Sequence, residues 1–330
     1  MADYDYELPA AAVAQRPVEP RDTARLLVAL GPAVAHARVR DLPDLLRPGD
    51  LLVANDTRVL PARLHLRKPT GGAAEVLLLE QSGPTADDWE ALVRPARRLP
   101  PGTVLLTDDG RRLVEVGERT ERDTWLVHLL EPPWSAGEVA LPPYVRSAIP
   151  DPERYQTVFA AHPGSVAAPT AGLHLTEGVI AACAGRGIGF VTVDLQVGLD
   201  TFRPITVDDP ADHRIHTEVY RVPPATWEAC RATRAAGGRV VAVGTTTVRA
   251  LESVVARGEL AGRTDLFIRP PYRFGAVDVL LTNFHLPRSS LLLLVDAFAG
   301  ARWRELYAHA LAEGYRFLSF GDAMCVTRAA

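Results

Sequence analysis

Apolar and polar positions follow two different rhythms along the chain. Between residues 63 and 144, short apolar runs at 74–79, 89–93, 103–106, 112–116 and 124–130 recur at 10–15 residue spacing, broken by Gly-Gly, Pro-Pro-Gly, Asp-Asp-Gly and Pro-Pro turns. Short runs bounded by turn residues, with little helical periodicity, predict the strands of a small β-barrel or sandwich. After residue 150 the rhythm alternates. Helices are predicted over 177–186, 225–236, 246–257, 289–299 and 302–313, interleaved with apolar strands at 188–193, 239–243 and 277–282. One earlier strand, 51–54, is entered by Pro48-Gly49-Asp50 and left by Asn55-Asp56-Thr57. Strands alternating with helices predict an α/β layer. The expected architecture is a mixed-sheet α/β domain built from residues 1–62 and 146–330, carrying an inserted small β-barrel domain over 63–145.

Composition narrows the class. At 330 residues there is room for about two domains, and 47% apolar with 23% charged residues excludes a disordered or collagen-like chain. Cys183, Cys230 and Cys325 are far apart and odd in number, so neither a disulfide framework nor a zinc knuckle is expected. The start, Met1-Ala2-Asp3-Tyr4-Asp5, lacks the basic and apolar regions of a secretory signal. The longest aliphatic run, 291–295, stops at Asp296, far short of a membrane span. A soluble cytoplasmic protein is the expectation. The net charge of −4 gives no general pull toward nucleic acid. Residues 70–145 carry seven arginines against thirteen carboxylates, so the inserted domain is not an overall basic platform. Arg94, Arg97 and Arg98 form either a local phosphate patch or a solvated turn.

Several segments combine a strand end with residues suited to chemistry. Arg239-Val-Val-Ala-Val-Gly244-Thr245-Thr246-Thr247-Val248-Arg249 reads as strand, glycine, threonine cluster and helix start. Free N–H groups and hydroxyls there offer an anion site, to which Arg249 one turn further in can add a fork; plain helix capping is the alternative. Gly164-Ser-Val-Ala-Ala-Pro-Thr170-Ala-Gly-Leu-His174 is rich in small residues and ends in a histidine suited to acid, base or donor work, or to a satisfied loop position. Thr282-Asn283-Phe284-His285-Leu286-Pro287 closes an apolar strand, where open α/β sheets bind ligands. His213-Arg-Ile-His216-Thr-Glu218 has a metal-like spacing, but on a strand the three would not share a face, so no metal is expected. Asp56 and Asp322 each place a carboxylate at a turn.

Taken together, these segments resemble the S-adenosylmethionine:tRNA ribosyltransferase-isomerase family of queuosine biosynthesis. The resemblance runs from Tyr4-Asp-Tyr-Glu-Leu-Pro9 through Gly49-Asp-Leu-Leu-Val-Ala-Asn-Asp-Thr-Arg-Val59, Leu60-Pro-Ala-Arg63, Pro142-Pro-Tyr144 and Tyr155-Gln-Thr-Val158. It continues over 164–176, Val243-Gly-Thr-Thr246, Arg249-Ala-Leu-Glu252, 282–287 and 315–324, so it spans the chain. It implies an α/β protein with an inserted barrel that takes S-adenosylmethionine as co-substrate and uses no metal. Its ribosyl group would be transferred to, and isomerised on, the 7-aminomethyl-7-deazaguanine base of a tRNA anticodon, giving epoxyqueuosine, adenine and methionine. Such chemistry needs a base for the ribose C5′ proton beside the sulfonium and an acid near the departing adenine. His174, His285 and Asp322 are the acid–base candidates. Asn55, Asp56, Arg58, Tyr144, Thr170, Thr245, Thr246, Arg249 and Asn283 are the ligand-positioning candidates. A monomer is expected.

Four positions depart from the family pattern. Where it reads His-Val-Gly-x-Gly-Thr-Phe, this chain has Gln196-Val197-Gly198-Leu199-Asp200-Thr201-Phe202, so a titratable group is replaced by an amide and a glycine by a carboxylate. Leu175 stands for an aromatic residue, and Pro271 for a glycine before Tyr272, removing an N–H. Two alternatives therefore stand beside the family reaction: a diverged paralogue acting on a small non-tRNA acceptor, and an inactive nucleoside or tRNA binder.

Overall fold

In a computed structural model of the chain, the four apolar strands expected from the sequence lie side by side and parallel. They are Gly189–Leu195, Leu51–Asn55, Val240–Val243 and Val279–Asn283. The structure describes every residue except 83–84, 96–98, 122–123, 199–204, 214, 216 and 330. The last three of these strands are buried along their whole length, which demands the unbroken apolar runs seen in the sequence.

Among the described residues this sheet reaches nine strands. Glu218–Arg221 and Ala261–Thr264 extend it antiparallel on one side. On the other, Ala323–Thr327 runs antiparallel to Val279–Asn283, followed by Arg25–Ala29 parallel to it and Ala35–Arg38 at the edge. The sequence reading names none of these five strands. Glu218–Arg221, Ala261–Thr264 and Ala35–Arg38 are short and polar, so they carry no apolar rhythm.

Helices cover the sheet within one residue or two of their expected bounds: Glu177–Gly185, Pro224–Ala235, Thr245–Arg257, Ser290–Ala299 and Arg302–Ala312. Their ends follow from local chemistry. The Thr176 hydroxyl accepts from the Val179 N–H at 3.2 Å, and Ser289 accepts from the Leu292 N–H at 3.3 Å. One face of the sheet packs a core that includes Leu26, Leu52, Val241, Leu281, Val179 and Cys183. None of the helices described is long and apolar enough to cross a membrane.

The barrel expected from the short turn-bounded runs between residues 63 and 144 is present. Arg63–Arg67, Ala73–Gln81, Asp88–Arg94, Trp125–Leu129, Arg112–Arg119 and Val104–Leu106 pair antiparallel in that order, and Arg67 opposite Leu106 closes the ring. Strand Trp125–Leu129 alternates strictly between buried and exposed, the period-2 signature of a barrel wall. By internal contacts the chain divides into two units. One comprises Met1–Arg58, Pro142–His162 and Ala168–Ala330, the other Val59–Leu141 with Pro163–Ala167.

Candidate active site

Parallel strands bring their carboxyl ends to one edge, and the loops leaving that edge are where a ligand can meet several strands at once. Here the edge holds a narrow cavity of about 50 Å³. Tyr144, Thr170, Thr245, Thr246, Asn283 and His285, all nominated by the sequence, line it.

Each wall has a local cause. Gly244 ends its strand at φ +90°, a conformation that a side chain disfavours, and turns the chain directly into the helix that starts at Thr245. Among the described residues no side chain caps this helix, so its first N–H groups stay free to meet a ligand at the cavity wall. The Thr246 hydroxyl oxygen is buried with no hydrogen-bond partner among the described residues. The Thr247 hydroxyl turns back to the Val243 carbonyl at 2.8 Å. A built donor-rich wall with an orphaned hydroxyl fits a carboxylate-bearing ligand.

His285 follows the last parallel strand. Its Nε2 lies 2.9 Å from the Thr282 hydroxyl, and its backbone is held on both sides. The N–H donates to the Tyr307 hydroxyl oxygen at 3.0 Å, and the carbonyl accepts from the Tyr6 hydroxyl. Burial pushes its pKa down to about 3, so the ring is neutral near pH 7. His174 sits behind the wall. Thr170 donates to Asn283 Oδ1 at 2.9 Å, which turns the Asn283 amide nitrogen toward His174 Nε2 at 3.1 Å. Nε2 therefore accepts, and the ring proton resides on Nδ1. Burial, and then the guanidiniums of Arg316, Arg154 and Arg21, push this histidine down to about 4.

Two lining residues went unnoticed in the sequence. Ser319 hydrogen-bonds the Tyr144 hydroxyl at 2.7 Å, and Leu318 holds φ +71°. A leucine in that region costs on the order of 1–3 kcal/mol and is kept by its surroundings. Its N–H donates to the Phe284 carbonyl at 3.1 Å, and the Gly321 N–H closes the turn onto its carbonyl at 2.9 Å. Nothing in the composition of 315–324 announces this turn, apart from Gly321. A Cβ there would lie 2.4 Å from the Arg316 carbonyl oxygen.

Other nominated residues stand outside the cavity wall. Asp322 is buried, and its carboxylate accepts from the backbone N–H groups of Arg25 at 2.9 Å and Arg316 at 2.8 Å. It holds the strand entry rather than facing the cavity. Asn55 ties Leu195 with both side-chain atoms, at 2.9 and 3.1 Å, and so locks two carboxyl ends together. Asp56 meets His162 Nδ1 at 3.0 Å, and Arg58 pairs with Glu153 at 2.5 Å. Arg249, expected to add a fork to the anion site, instead forms a buried ion pair with Glu218 and donates to the Leu266 carbonyl. Among the described residues no group of three or more His, Cys, Asp or Glu could hold a metal ion, and His216 of the spacing noted above lies outside them.

The departures have separate settings. Leu175 is fully buried in the core beside Val179 and Cys183. Pro271 is exposed, on a segment anchored where Glu252 accepts from the N–H groups of Gly275, Ala276 and Val277. Gln196 is half-buried, its N–H donating to the Val219 carbonyl at 2.9 Å. Asp200 lies outside the described residues, as do Arg97 and Arg98. Arg94 is exposed at the end of a barrel strand.

Comparison with known proteins agrees with this geometry. The family described as "Queuosine biosynthesis protein" matches residues 1–326. The chain is 51% identical to the S-adenosylmethionine:tRNA ribosyltransferase-isomerase of Thermus thermophilus, with 98% of each chain covered. It is 48% identical to that of Symbiobacterium thermophilum, with 99% of each covered. The crystal structure of S-adenosylmethionine tRNA ribosyltransferase from Thermotoga maritima matches with a TM-score of 0.57 at 37% identity, over 98% of this chain and 99% of that one. An α/β sheet with its cavity at the parallel carboxyl edge, a closed barrel and end-to-end similarity lead to one assignment: the chain belongs to the S-adenosylmethionine:tRNA ribosyltransferase-isomerase family of queuosine biosynthesis.

Proposed function

We propose that this chain is a cytoplasmic, monomeric enzyme that carries out its family's reaction. It transfers and isomerises the ribosyl group of S-adenosylmethionine onto the 7-aminomethyl-7-deazaguanine base of a tRNA anticodon, producing epoxyqueuosine in tRNA, adenine and methionine. The observation that carries this reading is identity near 50% sustained over 98% of both chains, to relatives bearing that name. The cavity wall supports it: its uncapped helix start and the orphaned Thr246 hydroxyl suit a ligand with a carboxylate.

S-adenosylmethionine supplies a sulfonium that acidifies the adjacent ribose carbon, and everything else is the work of the chain. Thr245 and Thr246, with the helix N–H groups, hold the carboxylate. Tyr144 and Thr170 shape the opposite wall. His285, neutral and facing the cavity, accepts a proton. His174, with its proton on Nδ1, acts through Asn283 to fix the amide at the wall. Asn55 and Asp322 are positioning residues that set the strand ends, and Asp56 and Arg58 order the loop beyond the first parallel strand.

The test is release of adenine and methionine from S-adenosylmethionine, with and without tRNA bearing the deazaguanine precursor. Release that requires this tRNA, with the matching mass gain on the RNA, is the expected result. Turnover independent of tRNA would replace this reading by a small-acceptor enzyme, and binding without turnover by a non-catalytic binder.

A further inference from the structure

Glu218, the last residue of the His-x-x-His-x-Glu spacing, does not line the cavity, yet its side chain is only 4% exposed and joins two segments that do. The first is the helix Thr245–Arg257, whose opening residues Thr245 and Thr246 form part of the wall. Arg249, one turn further in, pairs with Glu218 and is itself buried, and its Nε donates to the Leu266 carbonyl at 3.3 Å. The second is the segment leaving strand Gly189–Leu195, whose Val197 lines the cavity.

The backbone ladder beside that second segment pairs Leu195 with Tyr220 and ends where the Gln196 N–H donates to the Val219 carbonyl at 2.9 Å. Past that point the Glu218 side chain takes over. Its Oε1 accepts from the Gly198 N–H at 3.3 Å, while its Oε2 meets Arg249 Nη1. Val197 is thus held on both sides, by backbone at Gln196 and by a carboxylate at Gly198. Gln196 contributes only a backbone N–H to this tie, which a histidine there would supply equally, so the departure from the family pattern leaves the tie intact.

Stability does not account for the buried pair. Two charges taken out of water recover their lost hydration only in part, and apolar residues of similar volume are often as stable or more so. What a carboxylate supplies and an apolar side chain cannot is a hydrogen-bond acceptor, here fixed in place by the Arg249 guanidinium. The geometry points to Glu218 as a positioning residue: held by Arg249, it sets the Gln196–Gly198 segment so that Val197 closes the cavity wall against S-adenosylmethionine. This inference rests on the reading above that the cavity holds that ligand.

The experiment is calorimetric titration of the full chain with S-adenosylmethionine. Replacing one partner alone leaves a lone buried charge, so both are replaced together. Glu218→Gln with Arg249→Met keeps an acceptor for the Gly198 N–H, and Glu218→Met with Arg249→Met does not. Circular dichroism and thermal melts check that both are folded. The acceptor-free pair should raise Kd about fivefold or more, and the acceptor-keeping pair should stay within about twofold of wild type. A merely structural pair would move the melting temperatures and neither Kd. Acceptor-free binding within about twofold of wild type, or an equal rise in both double variants, overturns the proposal. Thr246→Val, titrated alongside, separates the two claims. If it binds as tightly as wild type, the cavity reading fails and the proposal with it; if it binds more weakly while the acceptor-free pair is unaffected, the proposal alone fails.

Discussion

The carboxyl edge of the parallel sheet and the wall of the barrel use polar residues in opposite ways. At the edge they are buried and committed: Asn55 to Leu195, Asp322 to Arg25 and Arg316, and Asn283 to His174 and Thr170. On the barrel they pair in the open, as in His65 with Glu138 at 2.9 Å and Arg67 with Asp108 at 2.6 Å, all more than half exposed. Water screens the barrel pairs, so they fix little. Burial at the edge shifts proton affinities and sets geometry to within a few tenths of an ångström, which is what a catalytic constellation requires. The barrel is free to vary on its surface; the edge is not.

The sharpest way to break this contrast is to remove His285. His285→Gln should lower turnover by about 10²–10⁴-fold with the fold retained by circular dichroism. Turnover within a few-fold of wild type would remove His285 from the acid–base work. Next in size, Asp322→Ala leaves two buried N–H groups open and should cost about 2–4 kcal/mol in denaturant unfolding. A loss below ~0.5 kcal/mol would show that those N–H groups find water instead.

Acid should expose the same asymmetry. His174 and His285 have pKa values of about 4 and about 3 in the folded chain, both below the roughly 6.5 of an unfolded histidine. The unfolded state therefore binds the extra protons. Stability from this source is complete above pH ~6.5 and falls as pH drops toward 4, by at most about 1.4 kcal/mol per pH unit for each ring. Thermal unfolding between pH 7 and 5 should show a shallower decline in the double variant His174→Gln, His285→Gln; an unchanged slope would contradict the buried, neutral assignment. At the smaller end, Thr246→Val should raise KM for S-adenosylmethionine about five- to tenfold with little change in kcat, because a binding hydroxyl is lost. Smallest of all, Arg67→Ala on the barrel should leave the unfolding midpoint within error of wild type.

Much of this arrangement was legible in the sequence. Fully buried strands such as Val240–Val243 announce themselves because burial on both faces demands unbroken apolar runs, and the barrel announces itself through its turns. Gly244 and the threonines after it mark the cavity wall because a strand-to-helix turn needs those residue types. Of the five outer strands, Glu218–Arg221, Ala261–Thr264 and Ala35–Arg38 stayed hidden because they are short and polar, whereas Arg25–Ala29 and Ala323–Thr327 are buried apolar runs that the reading of the sequence passed over. The roles of Asp322 and Arg249 were also hidden. A carboxylate at a turn and an arginine in a helix look the same whether they face a ligand or, as here, backbone N–H groups and Glu218.

The most direct test of the central claim, that the sheet edge and not the barrel holds S-adenosylmethionine, is hydrogen–deuterium exchange with and without that ligand. Protection confined to 168–174, 243–249 and 282–289, with the barrel strands between residues 63 and 129 unchanged, is the predicted result. Protection centred on the barrel, with the Gly244 turn and the His285 loop exchanging as before, would contradict it.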